Sequence, residues 1–362
     1  MKKTKVLFIA PYRQTDGWGE KARTLISLLE SRCDLTVRPI WFNNEVNPDM
    51  YLGKIEELES KSEEEYDVLI QFCLPNHFAY DGRFKKTVAI TSFGCTHKNI
   101  DVSSVLNMFD KVAVFSNLEV QYAFESGISK DKLVNFDSAP YSYSDVKANN
   151  YDFGHDRFQG VTFYTTASLA IDSGFRETLI AYLCTSKSYK NTTLAILTNN
   201  PEEVKKEIEK TREVLGVSSQ ADYPKIAICN PTDPNDRNHY IQQAHNSFDV
   251  FVNVGYNAHH CQDTLSAYRA NNKVIAFDNS NFTRNGYAYV ANCQEDICFH
   301  PEKPLPYMFT SNTTWRKPVI KSVRDQMEKI LREEEEIELV EDRLTTKTEW
   351  FNNVLEELIC TQ

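Results

Sequence analysis

The sequence predicts an α/β protein with two doubly wound, Rossmann-like domains, a cleft between them and a long C-terminal helical tail. Three observations support this prediction. Short and almost continuously apolar runs recur along the chain, which is typical of strands buried on both faces of a parallel sheet. Segments with the apolar spacing of helices separate several of these runs. The pattern stops at a polar stretch and then begins again, and 362 residues are enough for two domains.

The first half opens with an apolar run that ends at Pro11. A polar loop with Gly17 and Gly19 follows, and then a helical segment over 19–32. A further helical segment spans 118–127. The predicted strands are 6–10, 35–40, 67–73, 87–91 and 111–116. Ligands of doubly wound folds bind outside the carboxyl ends of the strands, so the loop with the two glycines is the first candidate site.

The second half repeats this organisation after a polar stretch, 138–160, that is typical of a linker. One helix is expected to begin after Asn200 as its N-cap, with Pro201 at its first position. The helical tail runs from about Pro318 to Ile359. The predicted strands are 161–166, 193–198, 225–229, 249–254 and 273–277. The expected division is an N-terminal domain over 1–150, a C-terminal domain over 151–335, and a C-terminal helix over 336–362 with packing back on the N-terminal domain as one option.

Composition narrows the class of protein. The formal net charge is −11 and the sequence pI is about 5.3. A protein that grips long duplex nucleic acid usually has a basic footprint, so this balance argues against that partner, although a local basic groove stays open. No apolar run is long enough to span a bilayer, and the N-terminus lacks the shape of a signal peptide. The nine cysteines are scattered singly, which favours reduced thiols and a cytoplasmic location.

Polar side chains follow predicted strands of the first half. Asn76 and His77 come after the third strand, and His97 comes after the fourth. Because the carboxyl ends of parallel strands meet at one edge, both histidines are candidates for hydrogen bonding to a substrate or for acid–base work. A surface histidine without a role is the alternative for each of them. Arg23 lies one turn into the first helix and faces either the cleft or the solvent.

The densest polar stretch of the second half is 252–278. It contains the adjacent His259 and His260, whose side chains diverge on a helix or a strand. No H-x-x-x-H spacing accompanies them, so we expect no metal site. The helix that follows begins with favoured N-terminal residues: Asp263, Thr264 and Ser266. Helix capping alone accounts for these residues, and binding of a nucleotide is the other interpretation.

Several motifs are shared with a known family. In the first half these are GWGEKAR after the first strand, YDVLIQFCLPNHF, and NMFDKVAVFSNLEVQYAFESGI over 107–128. In the second half the motif is SFDVFVNVGYNAHHCQDTLSAYRANNKVIAFD. Together they resemble the GT-B fold glycosyltransferases, close to the retaining family 4 enzymes, over nearly the whole chain. Pro75-Asn76 and the pair of Asn107 and Asp110 are similar to tracts in phage-borne members.

The resemblance implies transfer of a sugar, hexosyl or pentosyl, from a nucleotide-sugar donor. The second domain would bind the nucleotide and the first the acceptor, which is a glycan, a small molecule or a modified nucleobase in DNA. The donor would be a co-substrate, with no metal and no other cofactor, and a phage-encoded enzyme would work in the host cytoplasm. The catalytic residues would be His97 and Arg176. The donor-binding residues would be Gly17, Gly19, Arg176, Asn257, His259, Asp263, Thr264 and Ser266. The acceptor-side residues would be Arg23, Asn76 and His77.

The chain departs from the family at the donor site. Ser168 and Ser173 stand where family members typically have an arginine and a lysine, and Ala258 and Ser266 stand where they have paired glutamates. Losing both cations removes stabilisation of the diphosphate leaving group, which Arg176 on the next helix would restore. The weaker replacements are Arg269 and Arg284. A catalytically degenerate GT-B protein that serves as a binding or assembly partner is the main alternative, and a nucleotide-sugar epimerase is a third.

Overall fold

The computed structural model divides the chain into two compact units. The first is Met1–Ser142 with Pro304–Thr313 and Glu341–Gln362, and the second is Tyr143–Lys303 with Thr314–Val340. The residues that the structure describes are 3–14, 17–41, 52–62, 65–95, 100–136, 153, 158, 160–170, 172–216, 225–230, 237–256, 262–277, 288–298, 313–332 and 353–360. Most of the predicted linker, and the candidates His97, Asn257 and His259, lie outside these residues.

The first unit contains a six-stranded parallel sheet in the order β2-β1-β3-β4-β5-β6. Its strands are β1 (Lys5–Ala10), β2 (Asp34–Pro39), β3 (Val68–Phe72), β4 (Lys86–Ile90), β5 (Lys111–Val114) and β6 (Leu133–Asn135). All five residues of β3 are buried, as expected for a central strand with helices on both faces.

Four of the described α-helices of the first unit connect these strands. They are α1 (Gly17–Glu30), α2 (Lys54–Ser60), α3 (Ile100–Leu106) and α4 (Asn117–Glu125). Helix α1 packs on the sheet because its apolar residues recur at helical spacing: Ala22, Leu25, Ile26 and Leu29. Helix α4 begins at Ser116, whose hydroxyl accepts a hydrogen bond from the Glu119 amide at 3.1 Å.

The second unit contains another six-stranded parallel sheet, in the order β12-β11-β10-β7-β8-β9. Its strands are β7 (Val161–Thr166), β8 (Thr192–Leu197), β9 (Lys225–Cys229), β10 (Val250–Asn253), β11 (Lys273–Phe277) and β12 (Tyr289–Ala291). The prediction of two doubly wound domains is thereby confirmed. The sequence did not predict the antiparallel pair β13 (Cys293–Ile297) and β14 (Thr314–Pro318).

The described helices of the second unit are α5 (Phe175–Thr185), α6 (Pro201–Val214), α7 (Arg237–Ser247), α8 (Gln262–Arg269) and α9 (Ile320–Leu331). Helix α6 begins after Asn200 with Pro201 in its first turn, as the sequence predicts. Helix α9 adds Val323, Met327 and Ile330 to the core that surrounds β7 and β8.

The predicted long C-terminal helical tail is wrong in its extent. Its described parts are α9, which ends at Leu331, and a short helix over 353–359, here α10. The apolar stripe of α10 packs into the core of the first unit, whereas α9 belongs to the second. That stripe is Val354, Leu355, Leu358 and Ile359. No helix among the described residues has the length and apolar character that crossing a membrane requires.

Candidate functional site

Each sheet has one point where the strand order reverses. In the first unit β2 and β3 lie on opposite sides of β1, and in the second β8 and β10 lie on opposite sides of β7. Ligands of open α/β sheets bind outside the carboxyl ends of the strands at such a point. The loops to consider are therefore those after β1 and β3 in one unit, and those after β7 and β10 in the other.

The loop after β1 is held by an arginine and a glycine of α1. Arg23 Nη1 donates hydrogen bonds to the carbonyl oxygens of Tyr12 at 2.8 Å and Gln14 at 2.9 Å. A Cβ on Gly19 would overlap the Gln14 carbonyl, so α1 approaches this loop closely only because residue 19 has no side chain. Arg13 Nη2 contacts Glu59 Oε2 on α2 at 2.6 Å. The loop is fixed from two helices.

This geometry changes the expectation for the two glycines. The sequence places them in the loop before the helix, but α1 already begins at Gly17. The close approach that Gly19 permits is to the chain's own Gln14 carbonyl. A Cβ on Gly17 would meet no atom within 4 Å, so the surface there is open. Trp18 between them packs on Phe72, with ring centroids 5.0 Å apart.

Asn76 and His77 lie in the loop after β3. Asn76 Oδ1 and His77 Nδ1 are 3.1 Å apart, and the His77 side chain is exposed although partial desolvation lowers its pKa. Gln71, inside β3, ties the loop back because its amide donates to the Ala79 carbonyl at 2.6 Å and accepts from the Ala79 amide at 3.2 Å. The structure thus places the predicted acceptor-side pair on a fixed loop at the switch point of the first sheet.

Sequence reasoning missed a buried carboxylate at the same edge. Glu119, on α4, is fully buried and accepts hydrogen bonds from the Ser92 hydroxyl and from the amides of Phe93 at 3.0 Å and Phe115 at 2.6 Å. It joins the loop after β4 to the end of β5. A glutamate three residues after an N-cap serine is a signal that was available. In this structure that side chain reaches the neighbouring loop as well as its own helix end.

The loop after β7 bonds largely to itself. Ser173 Oγ donates to the Ser168 carbonyl at 2.6 Å, and the Ala170 amide contacts Ser168 Oγ at 3.3 Å. The loop ends at Gly174, which has φ +72° and caps α5 without a side-chain hydrogen bond. A Cβ there would overlap the Val254 carbonyl at the end of β10. The loops after β7 and β10 are therefore in direct backbone contact.

Arg176 stands in the first turn of α5. Its Nε donates to Glu207 Oε1 on α6 at 2.7 Å, and the Arg176 side chain is 39 % exposed. A guanidinium carries four further N–H donors on its two terminal nitrogens. Arg176 is thus near the carboxyl edge of the second sheet, with part of its charge balanced by the Glu207 carboxylate.

Two further residues at this edge were not predicted. The Tyr256 hydroxyl donates to Glu177 Oε1 at 2.8 Å, and the Tyr256 amide donates to the Asp172 carbonyl at 2.8 Å. The Tyr256 ring packs edge-on against Trp315, with centroids 4.9 Å apart. Burial and the nearby Glu177 carboxyl raise the pKa of Tyr256, which keeps the phenol protonated. The tyrosine lies within a motif that the sequence singles out, but its partner on α5 does not.

Asp263, Thr264 and Ser266 lie at the beginning of α8. Thr264 is 1 % exposed, and its Oγ1 accepts a hydrogen bond from Asn253 Nδ2 at 2.9 Å. This contact fixes α8 to the end of β10. Ser266 is also buried, whereas Asp263 is half-buried. Among the described residues, no three side chains of the metal-binding types come together in one place.

No protein-family model matches the chain, and no curated protein matches it. Solved structures do. HepE from Anabaena, in complex with UDP and glucose, aligns over 99 % of this chain and 96 % of that one, with 10 % identity and a TM-score of 0.52. A glycosyltransferase from Rickettsia africae aligns over 100 % and 95 %, with 12 % identity and a TM-score of 0.52. A trehalose-6-phosphate synthase aligns over 98 % and 99 %, with 8 % identity and a TM-score of 0.54.

The chain has the GT-B fold. At these identities the likeness shows the fold alone. Within this GT-B architecture the described candidates separate by unit: Gly17, Gly19, Arg23, Asn76 and His77 follow β1 and β3, and Arg176, Asp263, Thr264 and Ser266 follow β7 and β10. Each group lies at the switch point of its own sheet.

Proposed function

We propose that the chain is a glycosyltransferase that moves a sugar from a nucleotide-sugar donor to an acceptor. The observation that supports this most directly is the GT-B likeness over nearly the full length of HepE, a protein whose structure contains UDP and glucose. Fold does not fix function, so the proposal also depends on what the second sheet offers a nucleotide.

We place the donor at the carboxyl edge of the second sheet, where α5 begins. This helix has 11 residues, and its first N–H, that of Phe175, donates to Ser173 Oγ at 3.3 Å. The next N–H groups of the first turn suit a phosphate because they are donors at the positive end of the helix dipole. Gly174 presents backbone without a side chain at that point. Arg176, in the first turn of the helix, adds a cation for the diphosphate. Asp263 is the described candidate for the ribose, and Asn257 and His259 stay predictions outside the described residues.

The first sheet would bind the acceptor. The exposed His77 and the half-buried Asn76 offer hydrogen bonds in the loop after β3, and the surface at Gly17, after β1, is open. A glycan or a small molecule fits these groups. A modified nucleobase also fits, but the net charge of −11 disfavours a grip on long duplex DNA. The catalytic role of His97 stays a prediction, as does metal independence, which assays with and without EDTA test.

A nucleotide titration tests the proposal. We expect UDP, GDP or ADP to raise the melting temperature of the full chain, and the one that does to bind by calorimetry. Arg176→Ala should weaken that binding about tenfold, the value of one charge-assisted hydrogen bond. Lys210→Ala is the matched control, because it removes an exposed positive charge from α6 and should leave the dissociation constant unchanged.

The structure also favours a second candidate on one observation. Ser168 and Ser173, which replace the family's cations, make hydrogen bonds inside their own loop. A GT-B protein that has lost transfer activity and serves as an assembly partner would show this. No stabilisation by any nucleoside diphosphate at millimolar concentration, together with a co-purifying protein, would replace the enzyme proposal with this one.

A further inference from the structure

Tyr256 connects three segments of the second unit. Its hydroxyl contacts Glu177 on α5, its amide contacts Asp172 in the loop after β7, and its ring packs on Trp315 of β14. The side chain is 3 % exposed and Glu177 is 8 % exposed, so these contacts are sheltered from water. A hydrogen bond to a carboxyl group in such a place is stronger than one at the surface.

The place of this contact matters more than its strength. The loops after β7 and β10 form the switch point of the second sheet, and they touch where Gly174 meets the Val254 carbonyl. The hydrogen bond between Tyr256 and Glu177 links the same two segments at a second point, because Tyr256 follows β10 and Glu177 is in the first turn of α5, next to Gly174. We call this link the clamp.

We propose that Tyr256 and Glu177 are positioning residues for nucleotide binding, which they serve by holding the loops after β7 and β10 at a fixed spacing. This inference rests on the function proposed above. Neither residue needs to touch the nucleotide. Loops that spend only part of their time at the right spacing bind with an affinity reduced by that fraction. Loss of the clamp therefore weakens binding without removing a contact to the ligand.

Four variants of the full chain separate positioning from general packing. Tyr256→Phe and Glu177→Ala break the hydrogen bond, whereas Glu177→Gln keeps an acceptor for the tyrosine hydroxyl. Tyr182→Phe is the control. It removes another buried hydroxyl of the same unit, whose partner is the Lys225 carbonyl 3.1 Å away at the first residue of β9. Lys225 is therefore at the amino end of its strand, on the edge of the sheet opposite the loops after β7 and β10.

Two measurements are made on each variant: calorimetric titration with UDP, GDP and ADP, and hydrogen exchange of peptides that cover residues 172–176 and 250–256. We expect Tyr256→Phe and Glu177→Ala to raise the dissociation constant about tenfold and to speed exchange in both peptides. Glu177→Gln should bind within about twofold of the wild type, because its amide oxygen still accepts a hydrogen bond from the Tyr256 hydroxyl. Tyr182→Phe should leave both readouts at their wild-type values.

The results separate this inference from the proposed function. A wild-type chain that binds none of the three nucleotides overturns the proposed function and this inference with it. A wild-type chain that binds one of them, with Tyr256→Phe binding equally well, overturns the inference alone. Faster exchange with unchanged affinity also overturns it, because the clamp would then be structural only.

Discussion

The two switch points use the same architecture with opposite chemistry. At the first, a cation holds the loop: Arg23 donates to two backbone carbonyls. At the second, a carboxyl group holds it: Glu177 accepts from Tyr256. Each point also depends on a glycine whose missing Cβ lets two backbone segments touch, Gly19 in one and Gly174 in the other. One loop at each switch point is thus fixed by a donor in the first unit, where it follows β1, and by an acceptor in the second, where it follows β10.

The two switch points also differ in what their arginines contact. Arg23 is a candidate for substrate binding by position, but its Nη1 hydrogen bonds serve the fold of the loop. Arg176 has 39 % of its side chain in solvent and contacts one carboxylate, that of Glu207. Of these two arginines, Arg176 is the one whose geometry suits an incoming anion. The comparison predicts that the glycines and the internal contacts carry stability, and that Arg176 carries binding.

The largest effect is expected at Gly174. Gly174→Ala should lower the free energy of unfolding of the second unit by about 4 kcal/mol, since a Cβ there would overlap the Val254 carbonyl and the backbone has φ +72°. Urea-dependent hydrogen exchange of a β7 peptide measures this for the unit by itself. Gly216→Ala is the control, with φ +68° and open space around the Cβ, and should cost about 1 kcal/mol. Equal losses in Gly174→Ala and Gly216→Ala would show that the close contact with the Val254 carbonyl does not limit which residue can stand at position 174.

The next effect is the matching one in the first unit. Gly19→Ala should cost about 3 kcal/mol, because the Gln14 carbonyl must move and the loop would lose its hydrogen bonds to Arg23. Urea-dependent hydrogen exchange of a peptide that covers β1 measures this loss in the free energy of unfolding. Gly17→Ala, two residues earlier with nothing within 4 Å, should change stability by no more than about 1 kcal/mol. If the two variants lose the same free energy of unfolding, the close contact between Gly19 and the Gln14 carbonyl does not stabilise the folded chain.

Low pH should destabilise the second unit because of the buried His245. Burial lowers the pKa of His245 to about 4, and its Nδ1 contacts the Tyr164 hydroxyl at 2.7 Å. Asn272 Nδ2 donates to the same hydroxyl, and a neutral imidazole whose Nδ1 accepts the tyrosine proton satisfies both contacts. Among the described residues, the buried His245 Nε2 has no hydrogen-bond partner.

The second unit should lose stability as the pH falls, because the folded state holds His245 neutral. The unfolded histidine has a pKa near 6.5 and binds protons that the folded one rejects, so the free energy of unfolding falls as pH drops from about 6.5 towards 4. We expect a loss of about 2 kcal/mol between pH 7 and pH 5, measured on the β7 peptide. His245→Gln should flatten that part of the pH dependence. A wild-type curve that is equally flat would contradict the buried neutral histidine.

Much of the fold was predictable because burial leaves a mark on the sequence. Strands covered on both faces, such as β3 and β8, are largely apolar, and their predicted bounds differ from the observed ones by one residue at each end. The pair β13 and β14 was not predictable for the same reason, since β13 exposes four of its five residues. The predicted extent of the C-terminal helical tail was wrong. Apolar spacing indicates a helix but does not show on which core the helix packs, and α9 and α10 pack on the cores of different units.

The sequence predicts which loops form the candidate site, but not the contacts within them. Strand ends give the loops, because ligands of doubly wound folds bind outside the carboxyl ends of the strands. The partners depend on tertiary contacts that no local pattern shows. Tyr256 and Glu177 are 79 residues apart, and Arg176 and Glu207 are 31 apart. Short-range spacing therefore identified polar residues near the site but not which of them hold one another.

The smallest effect on stability is expected at Arg176, and its size decides how binding data are interpreted. The ion pair with Glu207 is partly exposed, with 39 % of the arginine side chain in solvent, and such pairs contribute little because water screens them. Arg176→Ala should therefore change the free energy of unfolding by less than about 0.5 kcal/mol, measured on the same β7 peptide. A loss several times larger would mean that Arg176, like Arg23, supports the fold. With the small value, any weakening of nucleotide binding in this variant reports a direct contact rather than a damaged unit.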